Sequence, residues 1–307
     1  MKLNLFIIFF MDYDKLPISI DEQLEKLRKN GLMIEDSSTA LFHLSNVSYF
    51  RIESYLRSME VYGQKRYKPN STFERAVRLY LFDKDLRATL FNAIQDVEVS
   101  LRTKMTQIFS MKHGAFWFTD ASLFKDETFF NGCLATIEKE LSRSNEEFIK
   151  EHTAKYSRPP YPPAWKTLEI VSLGTLSKLF CLFKDTSLKK VIAREYALPQ
   201  YTYLESWIRS ITMLRNCCAH HARVWNRKFT KTPLLPEKLL KPWITTREKP
   251  MKVYHQLCIL LYLEQSIEPK SDIKYLLSEL FKEYEDVIDL QVMGFPQNWK
   301  DEPLWKE

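Results

Sequence analysis

Apolar residues recur at intervals of three and four along most of the chain, the spacing of one helical face. Ser19-Ile-Asp-Glu22 reads as a capping box opening a helix that runs through Asn30 and closes at Gly31. A second helix starts after Asp36 or Ser37 and ends near Ser45; a third covers Tyr49 to Arg57. The longest signal runs from Thr72 to about His113. There Leu79, Phe82, Leu86, Leu90, Ala93, Val97, Leu101, Met105 and Ile108 keep the rhythm. Asp83 with Arg87 and Glu98 with Arg102 are i,i+4 pairs on it, expected as surface pairs worth about 0.3–0.5 kcal/mol each. The alternative is that Glu98 or Asp96 is the buried partner of a cation elsewhere in the chain.

His113 to Asp120 is an aromatic connector expected to pack as a loop in the core. Further helices are predicted over Asn131 to about Tyr156, Trp165 to Phe183 with Gly174 as a close-packing point, Asp185 to Ala197, and Tyr201 to His220 or beyond. Between the first two, Arg158-Pro-Pro-Tyr-Pro-Pro163 must be extended, because its prolines exclude helix. Pro-rich irregular chain follows through Pro242 and Pro250, then helices over Met251 to Ile267 and Ser271 to Leu290. The tail reads as an aromatic strap with Phe295, Trp299 and Trp305 anchored in surface grooves. The expectation is an all-α multi-helix bundle with Pro-rich connectors: an N-terminal extension over 1–18, one domain over 19–292 and an aromatic tail over 293–307.

Composition agrees with helices, since the chain has only six glycines. Lys plus Arg number 45 against 39 acids, an excess of +6 that suits an anionic partner. The five cysteines are scattered in apolar helical patterns, which fits a reduced cytoplasmic setting. Leu3 to Phe10 is apolar but far short of the roughly 20 residues that span a bilayer, and no signal-cleavage pattern follows it. Met11 is the expected natural start and no membrane partner is expected; the alternative is a hydrophobic stub that binds a membrane surface. A Walker loop, a dinucleotide fingerprint and a His-Glu-x-x-His motif are all missing, so neither cofactor nor metal is expected.

The chemistry concentrates between residues 201 and 227. Leu204, Trp207, Ile208, Ile211, Leu214 and Cys218 share one helical face, and Arg215 projects into the same sector. A guanidinium there needs a buried acid or a cleft where an anion arrives. Asn216, His220 and Arg223 fall on the opposite face at i, i+4 and i+7. A fixed cation, an amide, imidazoles and a second cation make a phosphate-handling set. Zinc held by Cys217, Cys218, His220 and His221 is disfavoured, because adjacent cysteines on a helix diverge by about 100°.

Arg215-x4-His220, with Asn directly after the Arg, resembles the signature of the HEPN ribonucleases. The longer string Arg215-Asn-Cys-Cys-Ala-His-His-Ala-Arg-Val-Trp-Asn-Arg227 resembles the Abi-like family of bacterial abortive-infection proteins. So do Leu79 to Thr103, the tail from Met293, and Phe50-Arg-Ile-Glu-Ser-Tyr55, where Ser54 stands in place of the family's Gly. The resemblance implies a HEPN-like bundle and a metal-independent endoribonuclease that acts in phage defence or as a toxin. Arg215 would clamp the scissile phosphate, His220 would move the proton, and Asn216 would hold the backbone or His220. His221, Arg223 and Arg227 would contact RNA. A single motif copy implies a homodimer with a composite active site, and a small antitoxin RNA is an implied partner. Two other readings stand beside this one: a non-catalytic RNA-binding module, and a helical dimeric adaptor whose Arg215 is a buried structural ion pair.

Overall fold

The computed structural model describes residues 13–306; Leu3 to Phe10 and the expected start at Met11 lie outside them. The chain divides into two compact units between Tyr80 and Leu81. Among the described residues there are twelve α-helices and, in place of β-strands, only isolated bridges, so the protein is all-α.

The first unit holds α1 (Ile20–Lys29), α2 (Ser37–Val47), α3 (Tyr49–Leu56) and the first turns of α4 (Phe73–His113). The capping box forms as predicted: the Ser19 hydroxyl accepts from the Glu22 amide, and the Glu22 carboxylate accepts from the Ser19 amide. At the other end of α1, Gly31 takes φ +86°. Its amide donates to Arg28 and the Leu32 amide to Leu27, the paired bonds of a Schellman ending. Leu24, Leu27, Ala40, Leu44 and Ile52 supply buried side chains.

The second unit continues α4 and adds α5 (Glu127–Arg143), α6 (Glu147–Lys155), α7 (Ala164–Thr167), α8 (Leu173–Leu182), α9 (Thr186–Glu195), α10 (Tyr201–Ala219), α11 (Val253–Ile267) and α12 (Ile273–Glu283). Every residue from Val253 to Glu264 is buried, so α11 is enclosed on all sides. The helix that carries the motif, α10, packs on α8, α9 and α11. The aromatic connector after α4 enters the core as expected: Trp117 and Phe118 are buried, and Trp117 meets Phe109 edge-on at 5.0 Å.

Three predicted helices are shorter or broken. The stretch from Asn131 to Tyr156 is two helices, parted at Ser144 where the backbone turns extended. Trp165 to Phe183 is split into α7, a 3-10 turn over Leu168–Ile170, and α8, which Ser172 caps by accepting from the Thr175 amide. The cause of this split is visible. Arg102 of α4 takes the carbonyls of Leu168 (2.8 Å) and Val171 (3.2 Å), which an unbroken helix would use internally. The last helix stops at Glu283, and the Tyr284 hydroxyl turns to donate to Asp85 at 2.7 Å. Gly174 is not a close-packing point either. A Cβ there would meet Thr212 at an ordinary 3.8 Å.

The aromatic tail goes deeper than the surface grooves expected for it. Phe295, Trp299 and Trp305 are buried around Tyr254 and Phe281, with ring centres 4.7–5.9 Å apart. Glu302 completes the attachment. Its carboxylate accepts from the amides of Thr245 (2.6 Å) and Thr246 (3.0 Å) and from both hydroxyls. Burial pushes its pKa up, but the bonds from Thr246 and Thr245 outweigh burial and hold it below the usual value. The Pro-rich chain after α10 is thereby pinned from behind.

Candidate active site

The buried stripe of α10 forms as its spacing predicts: Leu204, Trp207, Ile208, Ile211, Leu214 and Cys218 are all buried. Arg215 sits at the edge of that stripe, with 28 % of its side chain exposed. Its Nε lies 3.7 Å from Glu98 Oε2 and makes no hydrogen bond. The guanidinium stands over the Phe91 ring, 5.8 Å from its centre. Glu98 is therefore the acid that faces Arg215, whereas Asp96 is exposed. The other Glu98 oxygen accepts from Arg102 at 3.0 Å. The Glu98–Arg102 pair is thus a largely buried network rather than a surface pair.

The end of α10 repeats the geometry at Gly31 with a different residue. His220 caps the helix, donating its amide to the Asn216 carbonyl at 3.0 Å. His221 then takes φ +54°, its amide bonding Cys218, and the Ala222 amide bonds Cys217. This is a Schellman ending with histidine in the left-handed position that glycine usually fills. Both side chains are exposed as a result. The chain leaves the helix there, so Arg223 does not continue the Asn216–His220 face as the i+7 spacing implied. It lies half-buried in the following loop, and its carbonyl accepts from Arg227 at 3.3 Å.

That loop is held by Asp83, the other expected surface acid. Asp83 is wholly buried. One oxygen accepts from the Val224 amide (3.0 Å) and the Trp225 amide (2.6 Å). The other accepts from the buried Arg87. The pair is a buried tether from α4 to the residues just past the two histidines.

Two grooves flank the end of α10. One holds Asn216 and His220 with Arg209, Arg227 and Lys231. The other holds His221 with Lys84, Arg87 and Phe91. Adjacent histidines are thus divided between two surfaces, and Arg215 lies against Phe91, on the His221 side. The Asn216 side chain does not hold the backbone or His220. It is exposed, and only its carbonyl meets the His220 amide. Further cations gather beyond Arg227: burial, then the charges of Lys228, Lys249 and Arg223, lower the Lys252 pKa. Lys252 itself donates to Asn226 at 2.6 Å.

Cys217 and Cys218 point inward while both histidines point out. Burial raises both thiols, Cys218 to about 12. Among the described residues no three His, Cys, Asp or Glu side chains gather as metal ligands, and no helix is long and apolar enough to cross a membrane.

The sequence reading missed the tether Asp83–Arg87, the bridging Arg102, and Arg209 and Lys231 in the His220 groove. For Asp83 a signal existed. It lies four residues after Leu79, three before Leu86 and beside Phe82, inside the apolar stripe of α4. Arg209 had a signal too, lying seven residues before Asn216 on the same face of α10, whereas Lys231 carried none, since it reaches the groove through an irregular loop. A family model described as Abi-like protein matches residues 42–226, a span from α2 to just past the histidines. No curated protein and no solved structure matches the chain.

Proposed function

The chain belongs to the Abi-like protein family, and from that premise we propose that it is an endoribonuclease of abortive-infection type. RNA carries its own nucleophile in the 2′-hydroxyl beside each phosphodiester. Cleavage then needs a proton acceptor, a proton donor for the leaving 5′-oxygen, and fixed cations for the charge that builds on phosphorus. Arg215 clamps the scissile phosphate and His220 moves the proton, giving a 2′,3′-cyclic phosphate and a 5′-hydroxyl without a metal ion. His221, Arg223 and Arg227 contact the flanking RNA.

The observation that carries this reading is Arg215 itself. It is a part-exposed guanidinium, steered by Glu98 yet not hydrogen-bonded at Nε, in the last turns of α10 just before two exposed imidazoles. Arg215 rests against Phe91, away from the groove that holds His220. That separation supports a homodimer whose active site draws on both subunits. A small antitoxin RNA fits the same basic surface as an inhibitor, and cleavage of cellular RNA would arrest an infected cell.

The test is digestion of bulk RNA in EDTA by the wild type, Arg215→Ala and His220→Ala, with product ends mapped. Cyclic-phosphate ends made by the wild type alone are the expected result. Ends that persist in His220→Ala would remove that residue from the chemistry. The Glu98 contact favours a second reading, in which Arg215 is structural. Arg215→Ala would then lower the melting temperature while RNA cleavage stayed as it was.

A further inference from the structure

The groove that holds His220 is built for more than a histidine. Its lining includes three full cations, Arg209, Arg227 and Lys231, and no carboxylate. Between the cations the floor is apolar, with Met213, Cys217 and Ala222. The walls are fixed from inside. The buried Ser210 hydroxyl lies 2.8 Å from the Lys231 carbonyl, and the buried Gln256 amide reaches the same oxygen at 3.4 Å. The Thr230 hydroxyl donates to Met213 Sδ at 3.6 Å, and Arg227 is tied back to the Arg223 carbonyl. The exposed Asn216 amide, part of the groove lining, has no hydrogen-bond partner among the described residues, so its donor and acceptor capacity is unused.

We propose that this groove seats one unpaired nucleotide of an RNA strand, the one adjoining the phosphate at His220. The base lies on the Met213 floor with its edge toward the Asn216 amide, and the phosphates on either side meet Arg209, Arg227 and Lys231. An apolar floor and a free amide suit a splayed-out base better than an acidic peptide, which would use the cations alone. A-form duplex does not fit, because its bases are stacked and paired and offer no free face to such a floor. The assignment rests on the ribonuclease reading for the place of the phosphate, but binding tests it without cleavage.

The experiment is fluorescence anisotropy in EDTA with a 2′-O-methyl single strand, which lacks the free 2′-hydroxyl and cannot be cut. The same sequence as a blunt duplex is the comparison. Arg209→Ala and Lys231→Ala, both at exposed positions, should each weaken strand binding about fivefold at 0.1 M salt and lower the log–log salt slope by about 0.7. Lys139→Ala, on α5 outside the groove, should change neither. Met213→Asp should abolish the preference for single strand over duplex. Unchanged salt slopes in both groove variants overturn the proposal, as does equal binding of the duplex, displacement of the strand by polyglutamate at equal affinity, or no RNA binding at all. Binding that responds as expected in a protein that cuts no RNA would leave the subsite standing and remove the nuclease.

Discussion

Replacing Asp83 by alanine tests the tether that carries the turn after α10. The wild-type carboxylate is wholly buried and accepts from the Val224 and Trp225 amides and the Arg87 guanidinium. Alanine strands a buried cation, a loss of about 3–5 kcal/mol, and leaves two amides unpaired at about 1–3 kcal/mol each. These losses overlap, because water entering the vacated space serves more than one donor. A net destabilisation of about 5 kcal/mol is expected, and with it a fall in melting temperature of roughly 10–15 °C. Asparagine keeps an acceptor for the amides but removes the charge facing Arg87, so about half that loss is expected. Thermal denaturation followed by tryptophan fluorescence reports directly, since Trp225 is one of the tethered residues. An Asp83→Ala protein melting within about 2 °C of the wild type would refute the tether.

Three further outcomes follow from buried charge. Glu264 is only 2 % exposed, and burial, then the Asp96 charge, raises its pKa from 4.5 to about 7. Between those values the folded state holds a proton that the unfolded chain releases, so stability falls as pH rises through that window, by on the order of 3 kcal/mol in all. Glu264→Gln should flatten this slope and be the more stable protein at pH 8; denaturant titrations at several pH values check it, and an unchanged slope contradicts it. Glu302 has the opposite sign. Its folded pKa lies below 4.5, so its contribution is complete above that value and is lost as pH falls through the folded pKa. Glu302→Gln should remove that acid-side loss, read from the fluorescence of Trp299 and Trp305. Arg102→Met leaves Glu98 with only the 3.7 Å approach of Arg215 and removes the side-chain donor to the Leu168 and Val171 carbonyls, and a loss of about 3–5 kcal/mol is expected in the same denaturant assay.

Periodicity made the helices legible where each buries a continuous stripe. The long α4 and the motif helix α10 are the clearest cases, and the buried face of α10 matches its spacing residue by residue. It failed where a distant residue cuts a helix. No local signal announces that Arg102 will take two carbonyls 66 and 69 positions away. Spacing also placed Arg223 on a helix that had already ended. The stop is written in backbone handedness at His221, and histidine gives no such warning where glycine would. Arg215 and both histidines stood out in the sequence, but their division between two grooves did not, because it depends on which parts of α4 and of the loop after α10 lie beside them.

The carboxylate of Glu98 has a consequence for ligand exchange. It is shared: Arg102 holds one oxygen by a hydrogen bond, while Arg215 Nε approaches the other only to 3.7 Å. An incoming phosphate on the proposed path therefore competes with a weak contact rather than a formed bond. When Arg215 turns to it, Glu98 keeps Arg102 as its partner and no buried charge is abandoned. Glu98 is in this sense a placeholder anion, keeping the guanidinium aimed while the site is empty and yielding it at little cost.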